Sequence, residues 1–151
     1  MQDNQLSIIE ANHARFDRLS AELLPLNKQA IFDALAAAGI EYVEVEFDGY
    51  GDEGSFQGIV AYKRDNQTVE LPTCEIKLKT VNFATGSIEV KITTPGDATE
   101  TMVSDFLEET HSGWEDGEGA FGQFTLTLAD RSITLDYNER FIDSTHHDHA
   151  F

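Results

Sequence analysis

The chain of 151 residues lacks several features that would define its class. It has a single cysteine, Cys74, so an internal disulfide is impossible and a reducing, cytoplasmic location is expected. It has no apolar run of about 18 residues, and its first residues carry no basic segment, so neither membrane spanning nor secretion is indicated. It is also poor in cations, with 10 Lys and Arg against 28 Asp and Glu.

The formal net charge of -18 is the strongest global property of the chain. Such a field repels phosphate, which argues against direct binding of nucleic acid. It favours a cationic partner, which is a divalent metal, a basic protein or peptide, or the nucleic-acid groove of an enzyme. The alternative is that the charge serves only solubility.

Hydrophobic residues make up 40% of the chain, with ten Phe, so a core can form without disulfides or other cross-links. We expect one α+β domain over residues 1–144 and a His-rich C-terminal tail over 145–151. Helix-like spacing of apolar residues predicts helices over 6–24 and 27–38, separated by Pro25 as a helical hairpin, and a third helix from Thr99.

Alternation of apolar and polar residues predicts strands between and after these helices. Val43, Val45 and Phe47 alternate with acidic residues, which indicates a half-buried strand with an acidic outer face. Further strands are expected over 56–62, 69–78 with a bend at Pro72, 88–92, 124–128 and 133–137, the last two as a hairpin. The order predicts an antiparallel sheet of about five to six strands with helices packed on one face.

Two acidic, glycine-rich loops carry the same short pattern, Glu53-Gly-Ser-Phe and Glu118-Gly-Ala-Phe. Glycine adopts positive φ without penalty and leaves the backbone approachable, so these loops are the expected binding region. If the loops lie side by side they favour a shared site, and if they lie apart they favour a diffuse acidic surface. The predicted partner-binding residues are Asp48, Tyr50, Asp52, Glu53, Trp114, Glu115, Asp116 and Glu118.

No dedicated cofactor is expected, although a divalent cation is possible because carboxylates cluster in both loops. The spacing does not fit a calcium loop: counted from Asp48, position three is Tyr50 and position twelve is Ile59. The tail adds three imidazoles beside a carboxylate, which suits zinc or nickel. The candidate metal ligands are Asp52, Glu53, Glu118, His146, His147 and His149.

Catalytic patterns are weak, and a non-enzymatic role is favoured. Cys74 has no adjacent base, and no nucleophile elbow or phosphate-binding loop is present. The pair of His111 with Glu115, or with Asp52 if the loops converge, is a possible acid-base site. Trp114 either anchors a cationic partner or closes the end of the core, Arg140 is expected to brace the acidic loops, and Phe151 is expected to dock into a groove of the domain or of a partner.

The strings Phe47-Asp-Gly-Tyr-Gly-Asp52, His111-Ser-Gly-Trp-Glu115 and Thr134-Leu-Asp-Tyr-Asn-Glu-Arg140 resemble those of a group of uncharacterised small acidic bacterial proteins from phage or mobile-element settings. The resemblance covers the second half of the chain best. It implies that the two glycine loops and the final hairpin act together, and it carries no activity.

We therefore expect a non-enzymatic acidic interaction protein that binds a basic protein or a nucleic-acid-binding enzyme, in the manner of a nucleic-acid-mimicking inhibitor. One alternative is a divalent-cation-binding or hydrolytic domain whose site lies where the two loops meet. The other is a subunit of a larger bacterial complex that uses Trp114 and the tail as anchors.

Overall fold

A computed structural model describes residues 2–51 and 53–151, which form two α-helices, one short 3-10 helix and seven strands. In chain order they are α1 (Gln2–Ala37), β1 (Tyr42–Tyr50), β2 (Glu53–Tyr62), the 3-10 helix (Arg64–Asn66), β3 (Thr68–Val69), β4 (Ile76–Val81), β5 (Ile88–Thr93), α2 (Pro95–Thr110), β6 (Ala120–Thr127) and β7 (Ser132–Glu139). The larger sheet has the order β3-β2-β1-β6-β7, and β4 and β5 form a second, two-stranded sheet. The predicted α+β class and the antiparallel pairing are confirmed.

The core lies between one face of the larger sheet and the two helices. The central strand β1 alternates as its sequence predicts: Val43, Val45 and Phe47 are at most 2% exposed. The apolar faces of α1 and α2 pack against these side chains, together with the inner residues of β6. Because both helices cover the same face, the opposite face of the larger sheet has no helix on it within the described residues; we call it the open face.

The predicted helical hairpin at the N-terminus is wrong, because α1 runs without a break from Gln2 to Ala37 and contains Pro25. Proline removes one backbone hydrogen bond of the helix, the one to the carbonyl of Ala21. Both residues are exposed, so water can satisfy that carbonyl. Leu23 before the proline and Ile31 after it are both buried, so packing on each side of Pro25 favours a continuous helix.

The strands β4 and β5 do not join the larger sheet, which differs from the single sheet that the strand order predicts. They attach to α1 instead through Asn27, whose side-chain amide acts like a neighbouring strand. The Asn27 amide donates to the Lys79 carbonyl at 2.8 Å, and the Lys79 N–H donates to Asn27 Oδ1 at 2.9 Å. Asn27 is thus a docking residue inside α1 and not the N-cap of a second helix.

The remaining elements follow local signals, except that the predicted strand over 69–78 is two separate strands, β3 and β4. The helix α2 begins at Pro95, earlier than the predicted Thr99, because Thr94 caps it by accepting from the Asp97 N–H at 3.3 Å. The predicted hairpin of β6 and β7 is confirmed. Cys74 lies in an exposed connection before β4, not within a strand. None of the described helices has both the length and the apolar composition needed to cross a bilayer.

Candidate functional site: the open face of the sheet

The two acidic glycine loops lie side by side at one end of the larger sheet. The Gly51 N–H donates to the Gly117 carbonyl at 3.1 Å, which joins the turn between β1 and β2 to the loop before β6. A side chain at Gly119 would collide with the Gly49 carbonyl, so the two backbones approach as closely as glycine permits. Of the two arrangements considered from the sequence, this is the one that favours a shared site.

Trp114 lies beneath the β1–β2 hairpin and belongs to the core. Its side chain is 8% exposed and meets the Phe47 ring edge to face, with the ring centroids 5.3 Å apart. A Cβ atom at Gly49 would lie 2.7 Å from Trp114 Cζ3, and one at Gly54 would lie 2.6 Å from Trp114 Cη2. The two glycines therefore admit the indole against the backbone, and the position of Trp114 supports its core role over that of a surface anchor.

Arg140 braces the junction of the loops from the end of β7. Its guanidinium donates to the Gly49 carbonyl and to Asp48 Oδ1, both at 2.8 Å, and lies over the Phe121 ring at 4.7 Å. Its backbone N–H donates to the Gly119 carbonyl at 2.9 Å. One residue thus ties β1, the second loop and β7 together, as the sequence suggested for it.

The open face carries a row of carboxylates along its central strand. Glu44, Glu46 and Asp48 occupy alternate positions of β1, on the side opposite the buried Val45 and Phe47. Alternate residues of a strand lie about 7 Å apart on one face, so the row places like charges at regular intervals. Glu46 and Asp48 are exposed, and Glu44 is half-buried.

The strands beside β1 extend this acidic surface. In the register of the sheet, Tyr50 faces Glu53 on β2, and Glu46 faces Gln123 on β6, which in turn faces Asp136 on β7. At the loop end the face forms a shallow recess of about 680 Å³. The residues that line it are Asp48, Tyr50, Glu53, Gly54, Ser55 and Gln57.

The described strands of the larger sheet contain no Lys, Arg or His at all. Of the open-face carboxylates, only Asp48 has an ion pair among the described residues, the one with Arg140. Apart from Arg140, the Lys and Arg residues lie elsewhere: three are on α1, three are on the β4–β5 sheet, and three are in connections at the ends of strands. Outside the pair of Asp48 with Arg140, the open face is therefore a region of uncompensated negative charge.

Aromatic rings lie among the carboxylates of the open face. Tyr42 and Tyr62 stack across β1 and β2 with ring centroids 4.5 Å apart, and Tyr50 is 68% exposed. The Tyr62 hydroxyl donates to Glu44 Oε2 at 3.1 Å. The pKa of Tyr62 is raised, first by partial desolvation and then by its hydrogen bond to Glu44 and the nearby negative charges.

The predicted partner-binding residues divide between the two sides of the β1–β2 hairpin. Asp48, Tyr50 and Glu53 come together on the open face, as the lining of the recess shows. Trp114 and the backbone of Glu115 lie under the hairpin, against the inner side of Gly49 and Gly54. The remaining predicted residues are the exposed Asp116 and the half-buried Glu118 on the second loop, and Asp52, which lies outside the described residues.

A second group of polar side chains lies on the inner side of the same junction. The His111 ring stacks on Tyr137, with centroids 3.6 Å apart, and burial together with the charges of Glu139 and Glu115 raises the pKa of Tyr137. Glu115 Oε2 is buried without a hydrogen-bond partner among the described residues. Such an atom is costly to bury, so a cation bound beside it would relieve that cost.

The candidate metal ligands that the structure describes, which exclude Asp52, do not converge. Across residues 2–51 and 53–151, no group of three or more His, Cys, Asp or Glu has an arrangement that could hold a metal ion. In the tail, His146 pairs with Asp148 at 2.9 Å, and the rings of His147 and His149 lie 6.5 Å apart. Phe151 is fully exposed, so the prediction that it docks into a groove of this domain is wrong.

Glu44, Glu46 and Asp136 are site residues that the loop-centred prediction missed. The signal for the first two was present, because their alternation with Val43 and Val45 indicates an acidic outer face of the strand. What the sequence does not give is that β1 is the central strand and that β7 brings Asp136 onto the same face.

The fold and this face define an α+β protein with one helix-covered side and one uncovered, carboxylate-rich side of an antiparallel sheet. The chain belongs to a family of unknown function, DUF6878, whose model matches residues 23–151. The matched segment contains both sheets and α2 and begins within α1. No curated protein and no solved structure matches the chain. The resemblance to uncharacterised proteins is thus confirmed at the level of the family.

Proposed function

We propose that this protein is a non-enzymatic interaction protein whose open face binds a basic partner by occupancy. The observation that carries the proposal is the row of Glu44, Glu46 and Asp48 on the central strand of a sheet whose described strands hold no cationic side chain. Like charges in one row repel each other, so a cation that approaches the face relieves this repulsion as well as gaining attraction.

The distribution of cations supports one coherent face over a uniformly acidic surface. Ion pairs with arginine among the described residues neutralise Glu41, Asp33 and Asp48, and only Asp48 of these lies on the open face. The Lys-containing β4–β5 sheet is a separate sheet that packs on α1. A partner therefore meets one side of the molecule with little competing positive charge.

The aromatic rings of the face suit a partner rich in Arg or Lys. A guanidinium binds well over a ring when a carboxylate is near, and Arg140 already does so over Phe121 beside Asp48. Tyr50 is exposed in the same way beside Glu53 and the recess. We infer that an Arg or Lys side chain of the partner occupies this recess and that its backbone crosses the carboxylate row.

The partner class that we propose is the basic groove of a nucleic-acid-binding enzyme, with this protein as a competitive mimic of nucleic acid. The net charge of -18 supports this, because it gives a small protein the field that such a groove attracts. The resemblance to proteins of phage or mobile-element settings suggests an inhibitor of a host defence enzyme. In this role the protein acts by blocking a groove and needs no chemistry.

The face is tested with an oligolysine peptide and two triple variants that remove the same number of charges. The face variant combines Glu44→Gln, Glu46→Gln and Glu53→Gln. The control variant neutralises exposed carboxylates on the helices, combining Asp17→Asn, Glu22→Gln and Glu100→Gln. We expect the dissociation constant at low salt to rise about tenfold or more for the face variant and less than about twofold for the control. Equal losses in the two variants would contradict the proposal.

The mimicry is tested with a restriction endonuclease and its plasmid substrate. We expect the protein to slow cleavage, excess plasmid to relieve the inhibition, and the face variant to lose it. We also expect inhibition to weaken steeply as salt rises, because screening by salt reduces the strength and range of the attraction between exposed charges. Inhibition that does not change with salt or with competing DNA would refute nucleic-acid mimicry. The broader proposal of a basic partner would still be tested by the peptide assay.

The second candidate function is cation binding at the junction of the loops. The unpartnered Glu115 Oε2 and the His111–Tyr137 stack favour it, while the lack of a ligand group within the described residues does not. It predicts that calcium, magnesium or zinc raises the melting temperature by mass action and that Glu115→Gln abolishes the rise. No rise at about 10 mM metal, a concentration above the dissociation constants of about 1 mM or less that even weak calcium sites have, would eliminate this candidate.

A further inference from the structure

The outer strand of the small sheet, β5, has an unpaired edge. Its six residues pair with β4 alone, in a regular register without a bulge, and no other described strand adjoins it. Open edges of this kind template pairing with another chain, and proteins commonly protect them with charged side chains, proline, bulges or a covering segment. The described part of the chain has no proline, no bulge and no further strand at β5, and the two charged residues of the strand, Glu89 and Lys91, are of opposite sign.

The hydrogen-bonding direction of β5 follows from Asn27. Because the Lys79 N–H and carbonyl bind Asn27, they point away from β5. Lys79 faces Val90 in the ladder, so this is a pair whose backbone groups point outward on both strands. The N–H and carbonyl of Val90 therefore face the open edge, and by the two-residue period of a strand those of Ile88 and Ile92 do the same.

The outer face of β5 is apolar and exposed. Ile88, Val90 and Ile92 are 51%, 60% and 59% exposed and lie on one face of the strand. Three exposed β-branched residues in a row on an open edge are unusual for a protein with this many charges. These features suit the edge of β5 to pairing with another strand.

We propose that the strand that pairs with β5 is β5 of a second copy of the chain, antiparallel about a two-fold axis at Val90. In this register Val90 faces Val90 of the second copy, and Ile88 faces Ile92 on either side. Glu89 then faces Lys91 of the second copy, twice by symmetry, so opposite charges are directly opposed. Each of the three outward-facing pairs exchanges two backbone hydrogen bonds, for a total of about six.

Charge complementarity selects this register over its neighbours. Moving the axis to Lys91 would oppose lysine with lysine, and moving it to Glu89 would oppose glutamate with glutamate, both destabilising. The β4–β5 sheet also carries Lys77 and Lys79, so its strands hold three lysines against one glutamate in an otherwise acidic protein. Asn82 donates to Glu89 Oε1 at 2.9 Å, which positions that carboxylate.

The proposal is tested by sedimentation equilibrium of the full chain and four variants. The wild type is expected to be in monomer–dimer equilibrium, with a dissociation constant on the order of 10 μM because one strand pair buries a small area. Lys91→Glu and Glu89→Lys each turn two attractive pairs into repulsive ones, and each should raise that constant about tenfold. The double exchange Glu89→Lys/Lys91→Glu restores the opposed charges and should restore the dimer. The matched control, Lys77→Glu, makes the same change of charge on β4 and should leave the constant within about twofold.

A backbone variant tests the edge itself. Val90→Pro removes an N–H that points to the open edge, so the ladder to β4 is kept while the pairing to a second copy is blocked. Circular dichroism melting shows whether this variant is folded. If it is not folded, the charge variants at Glu89 and Lys91 still test the proposed pairing. A wild type that stays monomeric up to about 100 μM, ten times the expected constant, would overturn the proposal. A dimer that is unaffected by Lys91→Glu or by folded Val90→Pro would overturn it too. The open face takes no part in this contact, so the oligolysine assay and this assay fail independently.

Discussion

The packing of Trp114 under the β1–β2 hairpin predicts that Gly54→Ala destabilises the protein. A Cβ atom there would lie 2.6 Å from Trp114 Cη2 and 2.8 Å from Glu115 Cβ, whereas ordinary carbon contacts are about 3.5–4.0 Å. Gly54 does not have positive φ, so alanine meets no backbone strain and the whole cost comes from the contact. The hairpin and the second loop must therefore separate by about 1 Å to restore ordinary contact distances.

Overpacking of this size costs about 1–3 kcal/mol. For a chain of this length 1 kcal/mol corresponds to about 2–4 °C, so a cost of about 2 kcal/mol lowers the melting temperature by about 4–8 °C. The matched control is Gly58→Ala in the same strand, where a Cβ atom meets nothing within 4 Å. That variant should lie within about 0.5 kcal/mol of the wild type, or be slightly more stable, because alanine restricts the unfolded chain.

The assay is urea unfolding of both variants, followed by circular dichroism, with thermal melting as a second measure. In a Trp114→Phe background the contacting ring atoms are gone, so the cost of Gly54→Ala should fall by about 1 kcal/mol or more. Equal stability of Gly54→Ala and Gly58→Ala would refute the placement of the indole against the hairpin. That result would also contradict a rigid junction that positions the recess.

Three further predictions concern single contacts. Arg140→Ala should lower the free energy of unfolding, measured in urea, by about 1–2 kcal/mol because the hydrogen bonds to Gly49 and Asp48 are lost. Arg140→Lys should recover less than half of that loss, since one ammonium cannot span both acceptors. Asn27→Ala should cost about 1–2 kcal/mol and speed hydrogen exchange of the Lys79 amide, whereas the exposed Gln29→Ala on the same helix should do neither. Tyr62→Phe should be less stable than the wild type at neutral pH. The pKa of Tyr62 in the folded protein lies above its ordinary value, so the stability advantage of the wild type is present below about pH 10 and is lost as the pH rises through the folded pKa. A difference that is constant from pH 7 to above pH 10 would contradict the last of these.

Local patterns predict the parts of this fold that depend on local packing. The alternation around Val45 gives β1 and its acidic outer side, and the turn at Asp130 and Ser132 gives the hairpin of β6 and β7. The side-by-side loops are consistent with their shared glycine pattern. Asp48, Tyr50 and Glu53 could be grouped from sequence because they flank one tight turn.

The rest depends on contacts between distant residues. Helix α1 continues through Pro25 because both of its flanks are buried by strands and a helix that come later in the chain. The small sheet of β4 and β5 is held on α1 by buried Leu78 and by the hydrogen bonds of Asn27 to Lys79, which is 52 residues away. The bond from Arg140 to the Gly49 carbonyl spans 91 residues. The side of the hairpin on which Trp114 lies is likewise set by packing and not by its neighbours in the sequence.

The most direct test of the account is a titration of the full chain with oligolysine, followed residue by residue from backbone amide shifts in NMR spectra. The proposal predicts that the largest shifts fall on β1 and β2 around Glu44, Glu46 and Glu53, and that they fade as salt is added. Shifts that centre on α1, or that spread evenly over every acidic residue, would contradict the claim that the open face of the sheet is the binding surface.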